Sequence, residues 1–168
     1  MIRPRTAIGA LSLSAAALVG LLTHEGYTDR AVVPVQGDRP TVGFGSTFRD
    51  DGSPVQMGDT ITPQKAVART HAHIQRDESG IKRCVTAPLY QHEYDQMVSF
   101  AYQYGVPTLC RSSIVRYANA GRYAESCEGY LKYRFVAGYD CSTPGNRRCP
   151  GVWTRSQKRY QQCMQGGQ

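Results

Sequence analysis

Hydrophobic and polar positions divide the chain into an apolar N-terminal run, a short β-rich stretch and a long helical part. The first run, from Ala7 to Leu22, contains no charged residue. Gly26 follows it and is typical of a helix C-terminus, so the pattern predicts a helix that ends close to Glu25.

The β-rich stretch is built from two apolar runs on either side of a turn. Val32, Val33 and Val35 precede the turn-forming residues 36–40, and Thr41, Val42 and Phe44 follow it, which predicts a β-hairpin. A second turn signal over residues 50–54 predicts another short strand pair.

The helical part begins at Thr62, an N-cap residue followed by proline, and Gly80 is expected to stop this helix. Apolar side chains at three- to four-residue spacing predict the later helices. These are expected over Pro88–Tyr104, Ser112–Ala120, Tyr123–Tyr133 and Thr154–Met164. The predicted class is α+β, with a small N-terminal β-hairpin region packed against a mainly α-helical lobe.

The N-terminus has the order of an export signal, because Arg3 and Arg5 precede the apolar run. That run is shorter than the ~20 residues that span a bilayer, so it is a weak membrane segment. Cleavage after Ala15–Ala17 would remove most of the helix before Glu25. We therefore expect residues 1–24 to be an uncleaved signal-anchor-like segment that is later released, and residues 25–168 to form one domain. Cleavage of an ordinary signal peptide is the alternative.

Six cysteines without a C-x-x-C pair indicate a disulfide framework rather than a zinc site, and they support export. Fifteen pairings are possible. Cys141 with Cys149 is the first choice because the intervening segment is rich in turn residues. Of the three pairings left for the other four cysteines, Cys127 with Cys163 and Cys84 with Cys110 is the one chosen.

The net charge of +7 favours polyanionic partners in general. The basic residues are scattered and form no recognition motif, so nucleic acid is not an expected partner. His71 and His73 are two residues apart on a predicted helix and therefore make a poor metal pair. We expect no metal and no cofactor.

Glu25 is the residue best placed for acid chemistry. Hydrolysis of a glycosidic bond needs a carboxylic acid that protonates the leaving oxygen. A carboxyl at the end of an apolar helix, facing a hairpin, is expected to lose hydration and so to keep its proton.

Three blocks of the sequence carry a family resemblance. Glu25-Gly26-Tyr27, with the run Pro40–Ser46, resembles the active-site signature of phage-type lysozymes, the family 24 glycoside hydrolases also called endolysins. Met97–Gly105 and Gly151–Arg155 are similar to later blocks of that family, so the resemblance covers most of the chain.

The resemblance implies a lysozyme-like fold and a muramidase that cleaves the bond between N-acetylmuramic acid and N-acetylglucosamine with inversion. It makes Glu25 the general acid and Thr41 a ligand of the attacking water, with Phe44 and Gln103 as sugar contacts. The family has an Asp or Cys nine residues after the acid, where this chain has Pro34. Asp38, in the hairpin turn, is the candidate replacement.

The expected enzyme acts on peptidoglycan in the periplasm of a Gram-negative host and causes lysis. It is expected to be a monomer that is first tethered to the inner membrane by its N-terminal segment. The alternative is a non-catalytic, basic wall-binding or inhibitory protein on a lysozyme-like scaffold, which the proline at position 34 keeps open.

Overall fold

A computed structural model describes residues 4–34 and 37–165. Arg3 and two residues of the predicted hairpin, Val35 and Gln36, lie outside the described residues. The helices are α1 Ala15–Glu25, α2 Pro63–Cys84, α3 Gln91–Tyr104, α4 Val106–Arg111, α5 Ser113–Asn119, α6 Tyr123–Glu128 and α7 Pro150–Met164. Short 3₁₀ segments cover Ile8–Ala10 and Gly129–Lys132, and the strands are β1 Thr28–Val32, β2 Thr41–Gly43, β3 Phe135–Val136 and β4 Tyr139–Asp140.

The chain forms two compact units. Ser14–Arg76 forms the first, which we call the hairpin unit because it contains β1 and β2. The second, the helical unit, combines Met1–Leu13 with Asp77–Gln168 and contains α3 to α7 together with β3 and β4.

In the hairpin unit, β1 pairs antiparallel with β2, as predicted, with Thr28 opposite Gly43 and Val32 opposite Thr41. The first strand begins four residues earlier than the valine run and ends at Val32. Pro34 follows and has no N–H to donate to a ladder, so the strand cannot extend through it. The unit's core consists of Ala31, Val42, Val55, Ile61 and Ala66.

The prediction of a second strand pair around residues 50–54 is wrong. Phe48 and Pro54 form only an isolated bridge around the turn at residues 50–54. The proline at the bridge has no N–H to give, which limits how far a ladder can grow from it.

Gly80 does not stop α2, contrary to the prediction, and the helix continues to Cys84. A Cβ built on Gly80 would lie 2.7 Å from Cγ1 of Val106, well inside normal contact distance. The glycine is therefore needed for close packing inside the helical unit rather than for helix termination.

The later helices confirm the predicted periodicity with shifted ends. Ser112 separates α4 from α5, because its hydroxyl accepts a hydrogen bond from the Val115 N–H and so caps a new helix. In α3, Tyr94 is fully buried, and burial together with a hydrogen bond to Glu78 raises the pKa of its hydroxyl.

All three expected disulfides are present. They join Cys141 with Cys149, Cys127 with Cys163, and Cys84 with Cys110. All six cysteines belong to the helical unit, which includes the end of α2 with Cys84.

The apolar N-terminal run is not one helix in this structure. It is divided into the 3₁₀ segment Ile8–Ala10 and α1, with Ser14 capping α1 through the Ala17 N–H. Within the described residues, no helix is both long enough and apolar enough to cross a membrane.

Candidate active site

Glu25 is the last residue of α1, as the sequence predicts. Gly26 ends the helix with a positive φ of 71°, and its N–H donates to the Leu22 carbonyl. Because glycine adopts this backbone conformation without a Cβ penalty, the chain turns sharply after Glu25 and enters β1 two residues later.

Opposite this helix end, residues 42–46 form a tight loop at the end of β2. The Val42 N–H donates to the Ser46 carbonyl at 3.0 Å, and the Ser46 N–H donates back to Val42 at 3.1 Å. Gly43 and Gly45 both have positive φ, 69° and 77°. A Cβ on Gly43 would lie 2.9 Å from Cβ of Ala66, so this position has no room for a side chain.

The Glu25 carboxylate lies beside Gly45. A Cβ built on Gly45 would lie 3.5 Å from Glu25 Oε2, which is ordinary van der Waals contact. The register explains the approach, since Thr28 is paired with Gly43 and this end of the ladder brings the end of α1 to the glycine loop. Glu25 is nevertheless exposed, so the expectation of a carboxyl desolvated by the protein is wrong.

Phe44 is fixed by the core beneath the loop. It packs against the core cluster of the hairpin unit, and its ring lies 5.6 Å from that of Tyr27. The Tyr27 hydroxyl donates to the Ile61 carbonyl at 2.6 Å, which joins the residue after Gly26 to the segment before α2. The two aromatic rings thus form one side of the loop that carries Gly45.

Thr41 and Asp38 lie toward the other end of the β-ladder. Thr41 is half-buried opposite Val32, two residues from the Thr28–Gly43 pair, or about 7 Å along the strand. Asp38 is exposed in the connection three residues earlier. The roles proposed for both residues remain predictions.

An ion pair within the hairpin unit joins the segment after the glycine loop to the segment before α2. Arg49 donates from Nε and Nη2 to the two carboxylate oxygens of Asp59, each at 2.7 Å. Hydrogen bonds from Arg49, and from the Gln56 N–H, lower the pKa of Asp59 to about 2. The Asp59 carbonyl in turn accepts from the Ala31 N–H at 2.9 Å, so this pair sits directly behind β1.

Gln103 lies in the helical unit, near the end of α3, and is half-buried. Its Oε1 accepts a 2.7 Å hydrogen bond from Nη2 of Arg159 on α7. Sequence analysis missed Arg159, although it lies four residues before the bonded Cys163 and therefore on the same helix face. It also missed Gly45 as a neighbour of the acid. The described part of the chain contains no group of three or more residues suited to hold a metal ion.

Sequence comparison identifies a family for this arrangement. The profile of the family described as phage lysozyme matches residues 22–159, which contain Glu25, the glycine loop, Gln103 and most of α7. The chain is also 28% identical over 124 residues to an endolysin of Salmonella phage P22, covering 74% of this chain and 84% of that protein.

Solved structures share the fold. An endolysin from Escherichia coli O157:H7 phage FAHEc1 is 25% identical, with a TM-score of 0.78 over 93% of this chain and 95% of that one. A mutant of P22 lysozyme, also 25% identical, has a TM-score of 0.73 over 92% of this chain and 99% of the other. The predicted lysozyme-like α+β fold is confirmed.

Proposed function

The chain belongs to the phage lysozyme family, and from this premise we propose that it hydrolyses the β-1,4 bond between N-acetylmuramic acid and N-acetylglucosamine in peptidoglycan. Family membership makes it a glycoside hydrolase of the muramidase class with a lytic function. The choice of bond and the roles of individual residues are our proposal.

Glu25 is the proposed general acid, and its contact with Gly45 is the observation that carries the proposal. Gly45 presents no side chain to the carboxyl, so on that side a glycosidic oxygen can approach to hydrogen-bonding distance. An exposed carboxyl retains its proton more readily when a bound glycan strand displaces its water, because lower local polarity disfavours the charged form, and the proton is then available for donation. In this proposal the bound substrate removes water from the Glu25 carboxyl, whereas the sequence suggested that the protein itself does so.

The attacking water is assigned to the hairpin. In a single displacement the water and the acid work from opposite faces of the sugar, with about 6.5–9.5 Å between the two catalytic groups. Thr41 lies on β2 two residues before Gly43, the residue that leads into the loop beside Glu25. We propose that the Thr41 hydroxyl holds the water and that Asp38 accepts its proton, while Phe44 and Gln103 contact the glycan.

The cellular setting belongs to the same proposal. The enzyme is exported to the periplasm of a Gram-negative host, with residues 1–24 first held in the inner membrane, and acts as a monomer. The interrupted N-terminal run is consistent with a released state, since Ser12 and Ser14 fall between the 3₁₀ segment and α1.

Digestion of purified peptidoglycan sacculi tests the proposal. Mass spectrometry of the products should show new reducing ends on N-acetylmuramic acid, and anhydro-muramyl or N-acetylglucosamine ends would contradict the proposed bond. Glu25→Gln should lose at least about 100-fold in rate, the usual contribution of a general acid. Glu128→Gln, a change at another exposed helix-end glutamate, is the matched control and should retain the rate.

A different outcome would support the alternative function, a non-catalytic wall-binding protein. If wild type and Glu25→Gln sediment with sacculi equally well and neither releases fragments, the chain is a wall-binding protein on this scaffold. Equal release of fragments by both proteins would reject Glu25 as the acid.

A further inference from the structure

Arg159 is a buried cation in the middle of α7, with 6% of its surface exposed. Its guanidinium contacts two residues of α3, Ser99 and Gln103. Nη2 donates to the Gln103 Oε1 at 2.7 Å and to the Ser99 carbonyl at 3.2 Å, and Nε and Nη2 each lie 3.4 Å from the Ser99 hydroxyl.

Aromatic rings restrict the position of this guanidinium further. Its central carbon lies 5.8 Å from the ring centres of both Phe100 and Tyr104. These rings follow Ser99 and Gln103 along α3, so the arginine is held against one face of the helix over a full turn. Such a side chain has little freedom to release Gln103.

The hydrogen bond determines which way the Gln103 amide points. Arginine only donates hydrogen bonds, whereas an amide has a donor end and an acceptor end. Gln103 must therefore turn Oε1 toward Arg159, and its Nε2 then points away from Arg159 within the amide plane. The reversed amide would place two N–H donors against each other.

We infer that Arg159 is a positioning residue that holds Gln103 so that Nε2 donates to a carbonyl or carboxylate oxygen of the glycan strand. This inference rests on the proposed function, which makes Gln103 a substrate contact. Arg159 itself is too buried to touch the glycan and acts through the amide.

The donor selects a class of substrate group. Sugar hydroxyls both donate and accept, but carbonyl and carboxylate oxygens only accept. Peptidoglycan carries an acetamido carbonyl on every sugar and a carboxyl-derived lactyl group on every second one. A fixed N–H donor therefore favours an N-acylated glycan over one without acyl groups, because a site built for a hydrogen bond penalises a substrate that lacks the partner.

The Gln103→Glu variant tests the donor role of the amide separately from its acceptor role. A glutamate still accepts from Arg159, and more strongly, but it offers no donor to the substrate. We expect it to fold at least as stably as wild type and to raise KM for sacculi about tenfold, with kcat within about twofold, since one lost hydrogen bond is worth roughly that factor. A Gln103→Glu variant with wild-type KM would overturn the inference.

Arg159 is tested through a double-mutant cycle on KM. Arg159→Met should raise KM in the wild-type background and have no further effect in a Gln103→Met background, because its role is exercised through the amide. Arg159→Lys, which keeps a cationic donor, should restore most of the affinity. An Arg159→Met effect that persists unchanged in the Gln103→Met background would show a purely structural role.

One further measurement and the Gln103→Glu variant keep the result interpretable. Should Arg159→Met fail to fold, Gln103→Glu decides the question alone. The same variants are compared for sedimentation with sacculi in the Glu25→Gln background, so that weakened binding is detected without hydrolysis. If the variants differ in sedimentation as expected but the wild type cleaves no sacculi, the proposed function is rejected and this inference stands.

Discussion

The carboxylate of Glu25 lies beside Gly45, so that a Cβ built on the glycine would be 3.5 Å from Oε2. Glu25 ends a helix and Gly45 lies in the loop that follows β2, and the two are twenty residues apart in the sequence. Two positive-φ glycines, Gly26 and Gly45, make this approach possible, because each turns its backbone where a larger residue would be strained.

Gly43→Ala and Gly45→Ala should therefore have different effects. At Gly43 the added methyl meets Ala66 at 2.9 Å in addition to the backbone strain, and we expect a loss of about 3 kcal/mol in the free energy of unfolding. At Gly45 only the strain applies, about 1 kcal/mol, but the methyl covers one side of the acid and should lower the hydrolysis rate.

Urea unfolding and sacculus digestion, measured on the same preparations, distinguish the two effects. Gly9→Ala is the control, since its backbone is not left-handed and nothing lies within 4 Å of the added carbon. The explanation is wrong if Gly45→Ala destabilises as much as Gly43→Ala, or if it leaves hydrolysis unchanged.

The sequence predicted those parts of the fold that depend on local signals. Helix periodicity, the helix that starts near Ser112, the glycine after Glu25 and the pairing of Cys141 with Cys149 all depend on residues close together in the chain. The hairpin was also predicted, but its first strand was placed too late in the chain. Valines have a high β-propensity, whereas Thr28–Val32 contains two charged residues and gives a weaker strand signal.

The failures concern contacts between residues far apart in the sequence. Gly80 has the local signature of a helix end, and only the position of Val106 shows that it is a packing glycine. Arg159 has the composition of a surface residue, and only its burial against α3 shows otherwise. The solvation of Glu25 likewise depends on what surrounds the helix end and cannot be read from the helix itself.

Arg5 should contribute to stability through Glu93. It donates from Nε and Nη2 to the two carboxylate oxygens at 3.0 and 2.8 Å, and its guanidinium stacks on the rings of Tyr90 and Tyr123. Glu93 is only 5% exposed, so loss of the arginine leaves a buried charge with a lost partner. Arg5→Met should cost about 2 kcal/mol in urea unfolding, whereas Arg83→Met, at an exposed arginine, should cost almost nothing. Similar losses for both would contradict the assignment.

Asp59→Asn should alter stability in a pH-dependent way. Because hydrogen bonds from Arg49 lower the folded-state pKa from 3.8 to about 2, the ionised Asp59 stabilises the fold fully above pH 3.8, and this stabilisation is lost as pH falls toward 2. Wild type should therefore exceed Asp59→Asn in Tm at pH 6, and the difference should disappear near pH 2. Asp29→Asn, at an exposed carboxyl in β1, serves as the control. A difference that stays constant from pH 6 to pH 2 would argue against the ion pair as its source.

The disulfides should differ in their contribution according to loop length. Cys127 and Cys163 close a separation of 36 residues, and Cys141 and Cys149 close one of 8. Loop-closure entropy predicts a loss of about 4 kcal/mol when the first pair is replaced by alanine and about 2.5 kcal/mol for the second. Denaturant unfolding of the two double variants checks the order, and a larger loss for the shorter loop would contradict it.

Substitution of Gly9, Ser12 and Ser14 by leucine tests the proposed release from the membrane. In the structure these residues lie in or beside the 3₁₀ segment and before α1, where they interrupt the apolar run. Three leucines would make the run more favourable in lipid by roughly 1–2 kcal/mol on insertion scales and would remove the interruption. We expect the leucine variant to stay in the membrane fraction of expressing cells and to be non-lytic. A triple alanine variant, which loses the same Ser14 cap but adds little hydrophobicity, should be released and lytic. Lysis by the leucine variant at the wild-type rate would show that the N-terminal segment does not control activity.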